Sequence, residues 1–388
     1  MKAKLLDTIN RIYETQLCKL ELESLGAEDV SFDLDNLEFK FAFDPEQRDY
    51  LSNRTSWLTS IDGKDTWITK IIDINRKILR KYADIWFSHF TYPFKARFRP
   101  PVARSLINIV NPEPDGIILD NFCGSGTTQV EAILLGLDSV GIDINPFYTF
   151  LTQAQREFYI RKLTDGEIAE KFFIEVSQNP DRFKNAMLAG TIHPLMFVIY
   201  SYATCMHFPD SQKAFNRKFL EMKTLQDEWS RLNTEKSLEL GEIKTVTDTA
   251  EKLEFPDNYF SGIVTSPPYS NALDYTKENR GAPEFFPVTD ELKRQYEPVK
   301  KPDLYFEMMS KAISEMVRVL KLGKKIGFII GNQRKKNEII PIVDWSIEEF
   351  EKNNCKLLFN IPQLISSTGT WNILVDHILI LQKRVSDD

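Results

Sequence analysis

The chain has 388 residues, 42% of them hydrophobic, enough for one large α/β domain with insertions or for two domains. A formal net charge of −7 excludes an evenly basic nucleic-acid binder, and no apolar run approaches the roughly 18 residues of a membrane-spanning helix. Four scattered cysteines without a C-x-x-C pair, and four unclustered histidines, give neither a disulfide framework nor a metal signature.

In chain order, the amino terminus M-K-A-K-L-L-D-T-I-N lacks the apolar centre and cleavage site of a secretory signal, so a cytoplasmic location is expected. Residues 1 to 60 have no dominant period and are read as an extension. Residues 65 to 87 space their apolar positions at three and four, which predicts one amphipathic helix. Residues 76 to 104 carry Arg76, Lys77, Arg80, Lys81, Lys95, Arg97, Arg99 and Arg104 against Asp84 alone: a patch for phosphate contact, or a solvated helix face and loop. Pro93, Pro100 and Pro101 force a looping path before V-A-R-S-L-I-N-I-V resumes as a helix. An α/β alternation follows, with strands expected at 116–120, 139–144, 243–248, 261–266, 325–331, 356–361 and 375–383. Seven strands with intervening helices predict an open, doubly wound sheet. Residues 150–240 are helical in pattern, broken near 191–194 and 208–210, and form an insertion; a second excursion runs from Asn271 to about Pro302.

The stretch I-L-D-N-F-C-G-S-G-T-T-Q sets a glycine-rich turn, Phe122, Cys123, Gly124, Ser125, Gly126 and Thr127, between a strand and a helix, where free N–H groups favour a nucleotide-like ligand. Gln129 stands where a dinucleotide loop needs its third glycine, and Thr127 where a P-loop needs lysine. Asp120 at the strand end would repel a polyphosphate and suits a cationic amino-acid moiety, which selects S-adenosylmethionine. Asp143, followed by Ile144 at the end of the second strand, is placed for the ribose hydroxyls. Asp248 follows the third strand, as a partner for the adenine amino group or as a helix cap.

The run V-T-S-P-P-Y ends the fourth strand with Ser266, Pro267, Pro268 and Tyr269. Prolines cannot extend a sheet, but they hold the Pro267 carbonyl rigidly outward; with the Ser266 hydroxyl it gives two acceptors for the two hydrogens of an exocyclic amine. Such an amine is a poor nucleophile because its lone pair is delocalised, and two acceptors return density to nitrogen for attack on a methyl sulfonium. Tyr269 offers a ring face to a base that has left the helix stack. The alternative is a β-turn with an exposed aromatic.

D-N-F-C-G-S-G-T (120–127) together with T-S-P-P-Y (265–269) resembles the amino-methyltransferases of DNA, and the T-S-P-P-Y form is most similar to the cytosine-N4 branch; adenine-N6 enzymes more often have Asp or Asn at the Ser266 position. The segment H-F-T-Y-P-F-K-A-R-F-R-P-P resembles the one that closes over the methionine end of the cofactor, which implies roles for Lys95, Arg97 and Phe98. The likeness implies an α/β Rossmann-like S-adenosylmethionine-dependent methyltransferase sheet with a mainly helical insertion. It implies four units: an extension and helix (1–84), a cofactor half (85–149), a candidate target-recognition insertion or scaffold element (150–240) and a catalytic half (241–388), with 271–302 lining the base pocket. The implied partner is double-stranded DNA with the base flipped on binding, with a cognate restriction endonuclease as a further candidate. The expected activity is site-specific methylation of DNA at cytosine N4; rivals are adenine N6 methylation, RNA guanine-N2 methylation, and a non-catalytic nucleic-acid-binding subunit with this fold.

Overall fold

The computed structural model describes residues 1–6, 11–79, 85–111, 113–163, 166–236, 238–270, 274–335, 338–364 and 375–385. The first 65 residues, in which no period stands out, fold into an antiparallel sheet. Its strands are β1 (Lys2–Leu5), β2 (Glu28–Asp33), β3 (Glu38–Ala42), β4 (Leu58–Ile61) and β5 (Lys64–Asp65), in the order β2-β3-β1-β4-β5. Helices α1 (Ile12–Ser24) and α2 (Arg48–Arg54) lie in its connections. α1 buries Tyr13, Leu17, Cys18 and Leu22, but Glu14 and Glu21 share that buried stripe. Glu21 accepts from Ser56 Oγ at 2.6 Å and Asn108 Nδ2 at 2.6 Å. Helical spacing is present and apolar identity is not, so hydropathy alone does not disclose this helix.

α3 (Trp67–Leu79) is shorter than the helix expected over 65–87. Residues 80–84, with Arg80 and Lys81, lie outside the described residues, 85 and 86 are not helical, and Phe87 opens a separate 3-10 turn, Phe87–Phe90. Trp86 is extended (φ −143°, ψ 158°), so that its indole N–H reaches Glu131 at 2.9 Å; that tertiary bond overrides the local period. α4 (Pro100–Val110) starts on Pro100, whose missing N–H has no intrahelical partner to lose.

The expected alternation then appears: β6 (Ile117–Asp120), α5 (Thr127–Leu134), β7 (Asp138–Asp143) and α6 (Pro146–Ile160). The insertion continues as α7 (Gly166–Gln178), α8 (Pro180–Leu188), α9 (Pro194–Cys205) and α10 (Ser211–Lys236). Next come β8 (Ile243–Thr247), β9 (Gly262–Thr265), the short α11 (Tyr275–Glu278), α12 (Asp290–Gln295) and α13 (Glu297–Lys300), and the long α14 (Pro302–Val319). The chain closes with β10 (Lys325–Gly331), the hairpin β11 (Gln333–Lys335) and β12 (Glu338–Ile340), α15 (Ile342–Lys352), β13 (Cys355–Leu364) and β14 (Val375–Lys383).

All seven strands expected from the sequence join one sheet, in the order β13-β14-β10-β9-β6-β7-β8, and only β14 runs against its neighbours. One face is covered by α4 and shares its core with the amino-terminal sheet through Leu17, Phe39, Leu106, Ile118 and Ile378. The other is covered by α14 and α15 through Ile313, Met316, Phe328 and Phe350. Among the described residues the insertion shares its core with the rest of the chain: Phe215 and Trp229 pack in one cluster with Trp67, Trp86 and Phe158. From β6 the chain steps outward to β7 and β8, then returns to β9 on the other side of β6. The carboxyl ends of β6 and β9 thus flank a crevice that no connection crosses, where open sheets take ligands.

Among its described residues the basic stretch does not make one surface. Arg104 is fully buried, giving hydrogen bonds to Glu131 and to the carbonyls of Asn53 and Arg54. Arg99 pairs with Glu14, and Lys95 with Glu278. Among the described residues no helix is long and apolar enough to cross a membrane, and no group of three His, Cys, Asp or Glu side chains is gathered to hold a metal ion.

Candidate active site

The turn after β6 needs backbone that only glycine adopts freely. Gly124 and Gly126 have φ of +50° and +75°, the left-handed region that costs other residues roughly 1–2 kcal/mol. A Cβ on Gly126 would lie 2.6 Å from Thr152 Oγ1 on α6, so the loop is pressed against that helix. Gln155 of the same helix donates to the Ser125 carbonyl, and the Gly124 N–H donates to Asp143 Oδ2 at 3.1 Å. The loop is therefore clamped between α6 and the end of β7.

Asp143 and Asp120 both end strands, yet they do different work. Asp143 is half-buried in the cavity wall; its other oxygen accepts from Asn145 N–H at 2.9 Å, and burial, outweighing these bonds, pushes its carboxyl up to about 7. Asp120 is fully buried behind the wall. It accepts from Thr265 Oγ1 at 2.6 Å and Phe122 N–H at 3.1 Å, and burial raises it to about 6. It thereby ties the end of β6 to the end of β9 and braces both functional turns.

Ser266, Pro267, Pro268 and Tyr269 follow β9 directly and face the glycine loop across one cavity of about 350 Å³. Thr128 Oγ1 on α5 donates to the Val264 carbonyl at 3.1 Å, and Gln333 Nε2 to the Ser270 carbonyl at 2.5 Å, so the turn is held at both ends. The Tyr269 N–H donates to Tyr275 Oη at 3.1 Å. Tyr275 stacks on Tyr296 at 5.9 Å and 5°. Asn145 Nδ2 donates to Tyr296 Oη at 3.4 Å, and Tyr148 Oη to the Tyr275 carbonyl at 3.0 Å, which moors this aromatic wall to α6.

Of the residues singled out from the sequence, the cavity gathers Arg97, Phe98, Phe122, Cys123, Gly124 and Ser125, together with Thr127, Asp143, Ile144, Asp248 and the whole Ser266–Tyr269 turn. Three stand elsewhere. Lys95 turns outward to Glu278, Asp120 is sealed behind the wall by Thr265, and Gly126 serves the turn's geometry from beneath it. Asp248 is at the exposed rim, where its carboxyl accepts from Thr249 N–H at 2.7 Å. Sequence reasoning marked the 271–302 excursion as lining, and Tyr275, Gln295, Tyr296, Pro298 and Val299 do line this cavity, while Asn271 lies outside the described residues. It missed Phe94, Tyr148 and Met308. Phe94, packed edge-on to Tyr148 at 4.8 Å, lies inside the closure segment, which was the available signal.

The N6/N4 DNA methylase family matches residues 33–154, which include the closure segment, the glycine loop and Asp143. Type II methyltransferase M.MjaII of Methanocaldococcus jannaschii is 30% identical over 115 residues, 29% of this chain and 21% of that protein. Type II methyltransferase M.BsoBI of Geobacillus stearothermophilus is 26% identical over 276 residues, 52% of this chain and 53% of that protein. The chain thus spans about half the length, or less, of the curated relatives it matches. A SAM-dependent methyltransferase structure from Methanosarcina mazei aligns over 71% of this chain and 95% of its own at 14% identity, with a TM-score of 0.34, too low to bear weight. The family match over residues 33–154 and the two sequence relatives make this chain similar to DNA amino-methyltransferases, a family that spans N4- and N6-directed enzymes.

Proposed function

We propose that the protein is a site-specific DNA methyltransferase that moves a methyl group from S-adenosylmethionine to the exocyclic N4 amine of a cytosine flipped out of the duplex. The observation that carries this reading is the single cavity in which the glycine loop and the Ser266–Tyr269 turn meet. The cavity suits that cofactor: a glycine-cradled loop for the methionine end under Arg97 and Phe98, a carboxylate at Asp143 for the ribose, and apolar surface from Ile144, Pro298 and Val299 for the adenine. Bound there, the cofactor supplies an electrophilic methyl on a sulfonium.

The chain's own part is to hold the amine and sharpen it. Ser266 Oγ and the Pro267 carbonyl accept its two hydrogens, and Tyr269 packs against the base. Asp120, through Thr265, fixes the distance between this turn and the glycine loop. Cytosine is favoured over adenine by Ser266, which stands where adenine enzymes more often have Asp or Asn. The insertion 150–240 is our candidate for target recognition. A cytoplasmic location and a paired restriction endonuclease belong to the same proposal.

The test is incubation with methyl-labelled S-adenosylmethionine and unmethylated DNA or tRNA, followed by digestion to nucleosides. Label in N4-methyldeoxycytidine is expected, and Ser266→Ala is expected to bind cofactor while losing turnover. Label in N6-methyldeoxyadenosine would replace cytosine by adenine, and label only in N2-methylguanosine would remove the DNA reading. Cofactor binding with no labelled product would leave a non-catalytic subunit.

A further inference from the structure

Asn121 follows Asp120 at the head of the glycine loop, is 1% exposed and lines the cavity. Neither end of its amide is paired: Oδ1 and Nδ2 are both buried and have no hydrogen-bond partner among the described residues, and no other described side chain has two such atoms. A buried amide left empty at both ends is costly, and folded proteins pair nearly all such atoms. The cavity wall thus presents, at one point, an acceptor and two donors to a ligand that brings both a donor and an acceptor of its own.

The place of Asn121 in the sheet narrows the choice of ligand. β6 lies between β7 and β9, so Asn121, at the end of β6, stands between Asp143, which ends β7, and the Ser266 turn, which follows β9. Sulfur joins ribose, methyl and amino-acid chain in S-adenosylmethionine; with ribose at Asp143 and methyl toward Ser266, the amino-acid chain falls to the end of β6. That chain ends in an ammonium and a carboxylate. Among the described residues no carboxylate is free there to meet the ammonium. Asp120 is sealed behind the wall by Thr265, and the carboxylates that line the cavity belong to β7 and the segment after β8. Of these, Asp143 already holds two backbone N–H groups, Asp248 is at the rim, and Glu251 pairs with Lys311 at 3.4 Å.

We propose that Asn121 is a specificity-determining residue for the cofactor: its Oδ1 accepts from the ammonium, and its Nδ2 donates to the carboxylate, of the amino-acid end. The assignment rests on the S-adenosylmethionine reading above. A neutral amide suits a zwitterion, because a full charge at this point would repel one half of it. The same amide sets a requirement on the ligand. A nucleoside without the amino-acid end leaves both ends of Asn121 buried and unpaired, whereas one that carries it fills them, so the protein selects for that end.

Titration calorimetry on the full chain tests this with two probes, S-adenosylhomocysteine and methylthioadenosine, the second of which lacks both the ammonium and the carboxylate. Wild type should bind the first more tightly. Asn121→Ala should weaken S-adenosylhomocysteine by at least roughly tenfold, the scale of one hydrogen bond to a charged group, and leave methylthioadenosine unchanged. Asn121→Asp is isosteric, loses the donor and turns a negative charge on the carboxylate; it should show the same selective loss, and that result supports the assignment even where the alanine variant disturbs the turn and weakens both probes. A merely structural role would weaken both probes equally in both variants, and that outcome overturns the assignment. So does unchanged S-adenosylhomocysteine binding in both variants; a fall in label transfer to DNA would then give the amide to the base instead. Wild type that binds the two probes equally has no subsite for the amino-acid end, which overturns the assignment alone. Wild type that binds neither overturns the cofactor reading of the site, and the role of Asn121 falls with it.

Discussion

Asp143 is held by two backbone N–H groups and still titrates near neutrality, because burial outweighs both bonds. Ribose hydroxyls would add donors that prefer the carboxylate, so cofactor binding should pull its pKa down from about 7 and release a proton. The sign follows: affinity rises with pH up to about 7 and is flat above it, each unit of pKa change being worth about 1.4 kcal/mol. Titration calorimetry in two buffers of different protonation enthalpy, between pH 6 and 8, should detect that proton. Asp143→Asn should weaken binding by at least about tenfold and abolish the pH dependence. Asp120 ends its strand in the same way in the sequence, and only the Thr265 hydroxyl packed against it makes it a brace and not a ligand.

At the scale of elements, the glycine loop was legible because a local left-handed backbone demands its glycines, to which the structure adds close packing at Gly126. Gly126→Ala combines a left-handed backbone with a Cβ 2.6 Å from Thr152 Oγ1. It should destabilise the protein by roughly 2–4 kcal/mol, the sum of backbone strain and overpacking, lowering the urea midpoint and loosening cofactor binding together. The aromatic wall could be read as a region but not as residues. Tyr275 and Tyr296 stack across an irregular excursion, and nothing in their spacing announces the contact. The amino-terminal sheet was illegible for another reason: Glu14 and Glu21 sit where a period search expects apolar side chains.

At the scale of the molecule, Glu131 of α5 is a fully buried carboxyl that gathers three elements. It accepts from Trp86 Nε1 at 2.9 Å, meets His89 Nε2 at 2.8 Å and pairs with Arg104 at 3.3 Å, while Arg104 continues to the carbonyls of Asn53 and Arg54. The helix that follows the glycine loop, the stretch leading to Phe94 and Arg97, and the amino-terminal unit are thereby joined. Glu131→Gln leaves the Arg104 charge buried and uncompensated, which should cost about 3–5 kcal/mol, read as a lowered urea midpoint. The same change should weaken cofactor binding, because Arg97 Nη1 donates to the His89 carbonyl at 2.6 Å and depends on that stretch.

The sequence by itself determined the seven strands, the two turns at their ends and the residue types those turns present, because strand periodicity, glycine and proline act locally. Tertiary structure alone decided that Arg104 is a core residue, that Asp120 is sealed from the cavity, and that Glu131 gathers Trp86, His89 and Arg104. Each of these depends on which atoms a distant segment brings within about 3 Å, and a carboxylate or guanidinium takes its role from that neighbour and from lost water, neither of which is written near it in the chain.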